Sequence, residues 1–433
     1  MARPCQQSSY LDDTRIGGLA ITTVSPERSR LKSLRVPRLS RSGWVSAAKE
    51  ALDRPLTTYY LLLGSVGLLL TIGLIMVMSA SSVASYRGTG SSYTVVERQA
   101  MWLLLALPCA YFAARVSPTW LRRLVYPGFV LSLGLLLLTA FMGRTVQGNT
   151  NWLVLGPIQL QPSEIAKFAI IIWAAHIYAM KERRLDRLNE ILVPVVPGMG
   201  LALGLVLLGD DLGTALVFFA ILVGMLWVVG APRRLFVLAT LLVGVLAGGL
   251  AVTSPVRLAR LSNFTDPFRA YHSTGWQAVH GLFALASGGV FGEGIGASQQ
   301  KWGSLPEAYT DYIFAVLGEE LGLIGTLLVI GLFLTIAYAI VRIARETTDP
   351  FVRYASFGVV IWLLGQMMIN VGMVLGLAPV IGIPLPLVSY GGSSLVPTLT
   401  ALGLVIGFAR REPAAARALA QKRRDKAKGV AAR

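Results

Sequence analysis

Residues 57–82 read TTYYLLLGSVGLLLTIGLIMVMSASS, a run with no charged side chain. Wound as a helix at 1.5 Å per residue, it would reach about 39 Å, more than the ~30 Å of a bilayer core. Its apolar residues are continuous and do not alternate, which argues against a strand of a transmembrane barrel. Runs of the same kind recur at 99–114, 124–142, 163–180, 190–208, 212–230, 235–254, 312–341, 354–377 and 385–409. The sequence therefore predicts an all-α polytopic membrane protein with ten transmembrane helices and one large extracellular loop.

Composition agrees. Of 433 residues, 54% are hydrophobic and 14% charged, against about 25% charged in ordinary soluble domains. Mean hydropathy is +0.63. These values exclude a soluble enzyme, a disordered protein and a secreted disulfide scaffold. Cys5 and Cys109 lie in a tail and in an apolar run, so neither a disulfide nor a thiolate metal site is suggested.

The net charge of +17 is placed unevenly. Residues 1–56 form a basic, polar N-terminal tail, expected to be cytoplasmic and disordered, and residues 410–433 form a basic cytoplasmic C-terminal tail around the membrane domain at 57–409. No short apolar segment with a small-residue cleavage site stands near the start, so no cleavable signal peptide is expected. The clusters Arg115, Arg122 and Arg123, then Lys181, Arg183, Arg184 and Arg187, then Arg233 and Arg234, then Arg342, Arg345 and Arg353 fall in alternate loops. Basic loops stay inside, which puts both termini in the cytoplasm and the intervening loops outside. Basic tails on such a chain point to anionic lipid rather than to nucleic acid, for which no aromatic-interleaved basic motif exists.

The loop at 255–311 is long for a compact membrane protein and is not of low complexity. It carries Trp276, Phe283, Phe291 and Trp302, so short interfacial or re-entrant helices over a cavity are expected there.

Polar residues at span ends are where chemistry belongs, because hydrocarbon makes them costly. Gln161-Pro162-Ser163-Glu164-Ile165-Ala166-Lys167 opens the fourth span, with Glu164 and Lys167 on one helix face. It is either a capped helix with a local ion pair or a polar wall for an anionic headgroup. Asp210-Asp211-Leu212-Gly213-Thr214 is a capped hairpin, a cavity wall or a weak divalent-cation signal. The stretch from Lys301 through Glu307 to Asp311 feeds the eighth span, where Asp311 or Thr310 can serve as a cap and Glu319 and Glu320 must be buried in protein or face a wet cavity. Pro384-Leu385-Pro386 through Ser389, Gly391, Gly392 and Ser393 marks either an irregular helix start at a substrate site or a small-residue packing face. His176, His272 and His280 have no ligand partners at helical spacing. No P-loop, dinucleotide fingerprint or nucleophile elbow occurs, so no nucleotide is expected.

These blocks resemble the SEDS family (shape, elongation, division and sporulation proteins). The resemblance is carried by Asn151-Trp152-Leu153, the Gln161–Lys167 motif, Asp211-Leu212-Gly213-Thr214, Gly275-Trp276-Gln277, Leu305-Pro306-Glu307-Ala308-Tyr309-Thr310-Asp311, Gly318-Glu319-Glu320 and the Pro384–Ser394 block, in the family's order. Lys301-Trp302 and the long basic tails resemble the division branch more than the elongation branch. The resemblance implies a ten-helix peptidoglycan glycosyltransferase that polymerises lipid II for septal wall synthesis. It further implies a cognate class B penicillin-binding protein, other division proteins, the plasma membrane at the septum, and a divalent cation, Mg or Mn.

Asp311 matches the family's essential aspartate and is the expected catalytic residue, with metal binding as a rival role. The expected substrate-binding residues are Trp152, Glu164, Lys167, Gln277, Glu307, Ser389 and Ser393, with Arg257, Arg260 and Lys301 as further cations for the diphosphate. Asp211, Glu319, Glu320, Pro384, Pro386, Gly391 and Gly392 are expected to build the cavity. One departure stands out: the family's usual Arg before Trp152 is Asn151 here, and a neutral amide carries no charge, so Arg144 or another loop base would have to substitute. A lipid II flippase or transporter, a scaffold regulating a partner synthase, and an elongation-branch polymerase remain as alternatives. A transporter would keep its critical acids near the midplane, a polymerase at the outer interface.

Overall fold

A computed structural model describes residues 56–146, 149–156, 158–252, 264, 266–413, 415–418 and 420–421. Nearly all of the N-terminal tail, Arg257, Arg260 and the last part of the C-terminal tail lie outside these residues.

Each expected span contains a helix. They are α1 (Thr57–Thr89), α2 (Thr94–Ala113), α3 (Pro118–Met142), α4 (Pro162–Lys181), α5 (Leu188–Leu192) with α6 (Val195–Leu208), α7 (Leu212–Val228), α8 (Arg233–Val252), α10 (Ile313–Glu346), α11 (Pro350–Val374) and α12 (Gly392–Arg411), with α9 (Trp276–Gly288) lying in the long loop. Seven of these are long and apolar enough to cross a membrane: α1, α3, α4, the α5–α6 pair, α10, α11 and α12.

Local signals set the ends. Ser117, Asp211 and Asp349 cap α3, α7 and α11 by accepting the amide hydrogens of Trp120, Thr214 and Phe351. Pro118, Pro162 and Pro350 occupy first turns, where a missing N–H costs nothing. In the interior, α1 packs on α10, α11 on α4 and α7, and α12 on α2. Gly403 and Gly407 let α12 approach the backbone of α2 closely, since a Cβ on Gly407 would sit 2.5 Å from Ala114 O.

The structure departs from the sequence reading in two places. The stretch before α4 holds a small antiparallel meander, β1 (Arg144–Val146), β2 (Asn149–Leu155) and β3 (Ile158–Leu160). The last helix begins at Gly392 rather than 385, because Pro384, Pro386 and a left-handed Leu387 (φ 64°) keep the preceding residues out of helix.

The described part of the long loop, 264 and 266–311, packs on the bundle. α9 rests on α10, and short 3-10 turns lie at Pro267–Ala270 and Gln300–Trp302. At Gly322 (φ 66°, ψ −165°) the ladder of α10 opens. The N–H groups of Leu323 and Ile324 donate to Gly289 O and Val290 O at 2.9 and 3.2 Å, and the carbonyls of Glu319 and Glu320 accept from Glu293 and Gly294 at 2.9 and 3.0 Å. The loop thus takes over the bonds that the break releases. A Cβ at Gly322 would lie 2.5 Å from Val290 O and collide with Gly292 N. The left-handed backbone alone costs a side chain about 1–3 kcal/mol. Gly322→Ala is therefore expected to lower the thermal unfolding midpoint in detergent by several degrees, and an unchanged midpoint would show that the break is not under this constraint.

Candidate active site

The starts of α4, α7, α10 and α12 and the end of α11 meet at one end of the bundle. Asp311 stands there, one residue before the N-cap position of α10. That position belongs to Tyr312, and no side chain caps the helix, so neither Asp311 nor Thr310 acts as the cap.

The backbone that carries Asp311 is held at three successive carbonyls. Tyr309 O accepts from the Tyr390 amide at 2.9 Å, Thr310 O from Ser389 Oγ at 2.6 Å, and Asp311 O from Asn370 Nδ2 at 2.8 Å. Ser389 Oγ also accepts the Leu385 amide at 2.7 Å, which folds the Pro384–Ser389 segment onto itself. Gly382 closes the other side, in a left-handed conformation (φ 77°), where a Cβ would lie 3.2 Å from Asp311 Oδ2.

Among the described residues the Asp311 carboxylate has no hydrogen-bond donor. Burial pushes it up to about 7, with the negative charges of Glu307 and Asp211 adding to the shift. An ordinary aspartate titrates near 3.9 and is a weak base; this one is tuned for proton transfer near neutrality.

Asp211 is buried, accepting Asn151 Nδ2 at 2.9 Å and Thr214 Oγ1 at 2.8 Å. Asn151 thus offers Asp211 an amide instead of a cation. Arg144 pairs opposite Trp152 across β1 and β2 and is exposed, so a base does flank that tryptophan. Glu307 accepts from Thr310 Oγ1 at 2.6 Å. Gln277 donates to Pro306 O at 3.2 Å and Trp276 to Ser304 O at 2.7 Å, so both steady the segment leading to Asp311.

Lys167 and Glu164 are both buried and form a closed ion pair at 2.8 Å. The ammonium also donates to Gln366 Oε1 at 3.2 Å and sits 5.3 Å from the Trp362 ring centre. Its charge is therefore neutralised locally.

Lys301 is bonded to α1, α10 and its own loop. Its ammonium donates to Gly296 O at 2.6 Å, Ser79 Oγ at 3.0 Å and Glu320 Oε1 at 3.1 Å, which uses all three of its protons. Glu319 is bonded by Ser298 Oγ and the Gln299 amide. These acids pin the loop to α1 and α10. Ser393 is buried near Gly391 and Gly392, where Gln99 bridges Ser389 O and the Gly391 amide, both at 3.4 Å. The ring of Trp102 leaves no room for a Cβ on Gly392.

Sequence reasoning missed Gln366 and Asn370. They stand four apart on α11, where Gln366 donates to Pro384 O at 3.1 Å and Asn370 to Ile383 O at 2.6 Å. Their signal was present: two amides at helical spacing inside an apolar span.

Among the described residues no group of three or more His, Cys, Asp or Glu side chains could hold a metal ion. Mg commonly makes do with one or two carboxylates plus substrate phosphates. Asp311 and Asp211 fit that pattern, one with no donor and the other near enough to raise it.

The chain matches the model of the cell cycle protein family of FtsW, RodA and SpoVE over residues 59–413. It is 40% identical over 405 residues to the probable peptidoglycan glycosyltransferase FtsW of Mycobacterium tuberculosis, covering 93% of this chain and 76% of that one. It is 38% identical over 353 residues to the protein of that name from Coxiella burnetii, covering 79% and 93%. Among solved structures it resembles a chain from a study of polymerization and crosslinking by a peptidoglycan synthase complex, with a TM-score of 0.67 and 30% identity over 81% of this chain and 97% of that one. It also resembles the rod shape determining protein RodA of Thermus thermophilus, with a TM-score of 0.61 and 30% identity over 82% and 97%.

Proposed function

The chain belongs to the FtsW, RodA and SpoVE family of cell cycle proteins and is a peptidoglycan glycosyltransferase of its division branch; we propose that it polymerises lipid II and that Asp311 is the general base. In this reading the Asp311 carboxylate takes the proton from the 4-hydroxyl of the acceptor GlcNAc. The hydroxyl oxygen attacks C1 of the donor MurNAc with inversion. The C1–O bond to phosphate breaks, its electron pair leaves with undecaprenyl diphosphate, and the proton stays on Asp311. The observation that supports this most is a carboxylate with no hydrogen-bond donor among the described residues, carried on a backbone held at three successive carbonyls, whose desolvation raises it toward neutrality.

A divalent cation, Mg or Mn, held by Asp211 and the diphosphate oxygens would supply positive charge to the leaving group; a cation on Asp311 itself is the rival role, since it would lower that carboxyl and take it out of proton transfer. Trp152, Arg144 and the exposed part of the loop supply the surface for the disaccharide. A class B penicillin-binding protein is the natural partner to crosslink the strands, at the division septum and with both termini in the cytoplasm. A transporter reading would need Glu319 and Glu320 free to face a cavity; both are buried and tied to the loop, and Glu320 is paired with Lys301, which weighs against it.

The test is polymer formation from lipid II by the purified protein with its partner. Turnover at saturating lipid II is expected to rise as pH passes upward through about 7, because the base is ionised only above its raised value. A flat profile between pH 5.5 and 8.5 would remove Asp311 from the proton transfer.

A further inference from the structure

We propose that Asn370 is a positioning residue for the reaction, holding Asp311 at the wall it works against. This rests on Asp311 being the base. Asn370 is fully buried in α11. Both of its amide hydrogens go to carbonyls, Asp311 O at 2.8 Å and Ile383 O at 2.6 Å, which fixes which end of the amide faces the site. Its Oδ1 is buried and has no partner among the described residues. A leucine would fill the same space but leave both carbonyls without this donor, so the amide is there for its bonds rather than for packing.

The two carbonyls belong to the two segments that flank the carboxylate. One is Asp311's own. The other is Ile383, next to Gly382, whose missing Cβ leaves room for Asp311 Oδ2. One side chain therefore sets the distance between the base and its wall. Ser389 and Tyr390 bind Thr310 O and Tyr309 O, the carbonyls before it, and do not reach the residue that carries the carboxylate. Gln366 makes the equivalent bond one helical turn earlier, to Pro384 O, so α11 presents a ruler against 383–384.

A lost ruler should misplace the base without touching the substrate surface. The full-length protein with its partner is assayed on lipid II for kcat and KM separately. Asn370→Ala is expected to lower kcat ten- to hundredfold, the scale of a displacement of about 1 Å at a reacting group, with KM within about twofold of wild type. Asn370→Ser, which keeps one donor, is expected to fall between the two. An unchanged kcat overturns the proposal. So does a matched change in kcat and KM, a serine no better than alanine, or loss of folding in both variants, since each describes a residue that only supports the bundle. Asp311→Asn serves as the control: if it polymerises normally, the base assignment itself fails, whatever Asn370 does.

Discussion

Asp311→Asn is expected to fold, reach the membrane, bind its partner and make no glycan strands. General bases contribute about 10²–10⁴-fold to rate, and an amide of the same size can accept no proton from the hydroxyl. The fold should not suffer. Tyr312, not Asp311, holds the cap position, and the clamp on Asp311 uses its backbone carbonyl, which the amide keeps. The linkage sign points the same way. A carboxylate raised to about 7 holds its proton more tightly folded than unfolded, so the folded state loses stability as pH climbs from the ordinary aspartate value near 3.9 through about 7, and carries the full penalty above it. Asparagine carries no such penalty and should be at least as stable as aspartate at pH 8. Polymer yield from lipid II and the thermal midpoint, measured on the same preparation, check both halves. Near-normal yield would overturn the base role.

Lys167→Ala is expected to fail for a different reason. It leaves the Glu164 carboxylate buried beside an empty place, and breaking a buried ion pair this way costs about 3–5 kcal/mol. Low expression and a large drop in thermal midpoint should accompany any loss of activity. Lys167→Met combined with Glu164→Gln separates the effects, because it removes both charges and keeps the volume. The double variant should recover folding. If it remains inactive, the Lys167 charge serves the diphosphate; if it polymerises like wild type, the pair is structural and the anion site lies elsewhere. The geometry makes this a real question, since Lys167 is engaged with Glu164, Gln366 and the Trp362 ring.

Several site features are legible in the sequence alone. Asp311 was marked by its place at a span start, and the structure brings it to the point where four helix starts converge. The broken backbone around Pro384 and Pro386 was legible because proline has no N–H to give and clashes with a helical turn. Lys301 reads in the sequence as a further cation for the diphosphate, and the structure pairs it with Glu320. Its sequence neighbours are polar loop residues, but its partners Ser79 and Glu320 come from other elements. The strands at 144–160 were missed because three short segments gain their pairing only from one another.

The sequence by itself determined the membrane class, the positions of the helices and the residues able to do chemistry. These follow from local properties: the length of each apolar run, the charge of each loop, and the intrinsic preferences of proline, glycine and the capping side chains. Only the tertiary structure decided which of those residues act together. The contacts of Lys167 with Gln366 and the Trp362 ring, the break at Gly322 stitched to the loop at 289–294, and the grip of Ser389 on Thr310 and of Asn370 on Asp311 all join groups whose bonds depend on distance in space. A buried polar atom takes the nearest partner that folding supplies, and that partner can lie anywhere along the chain.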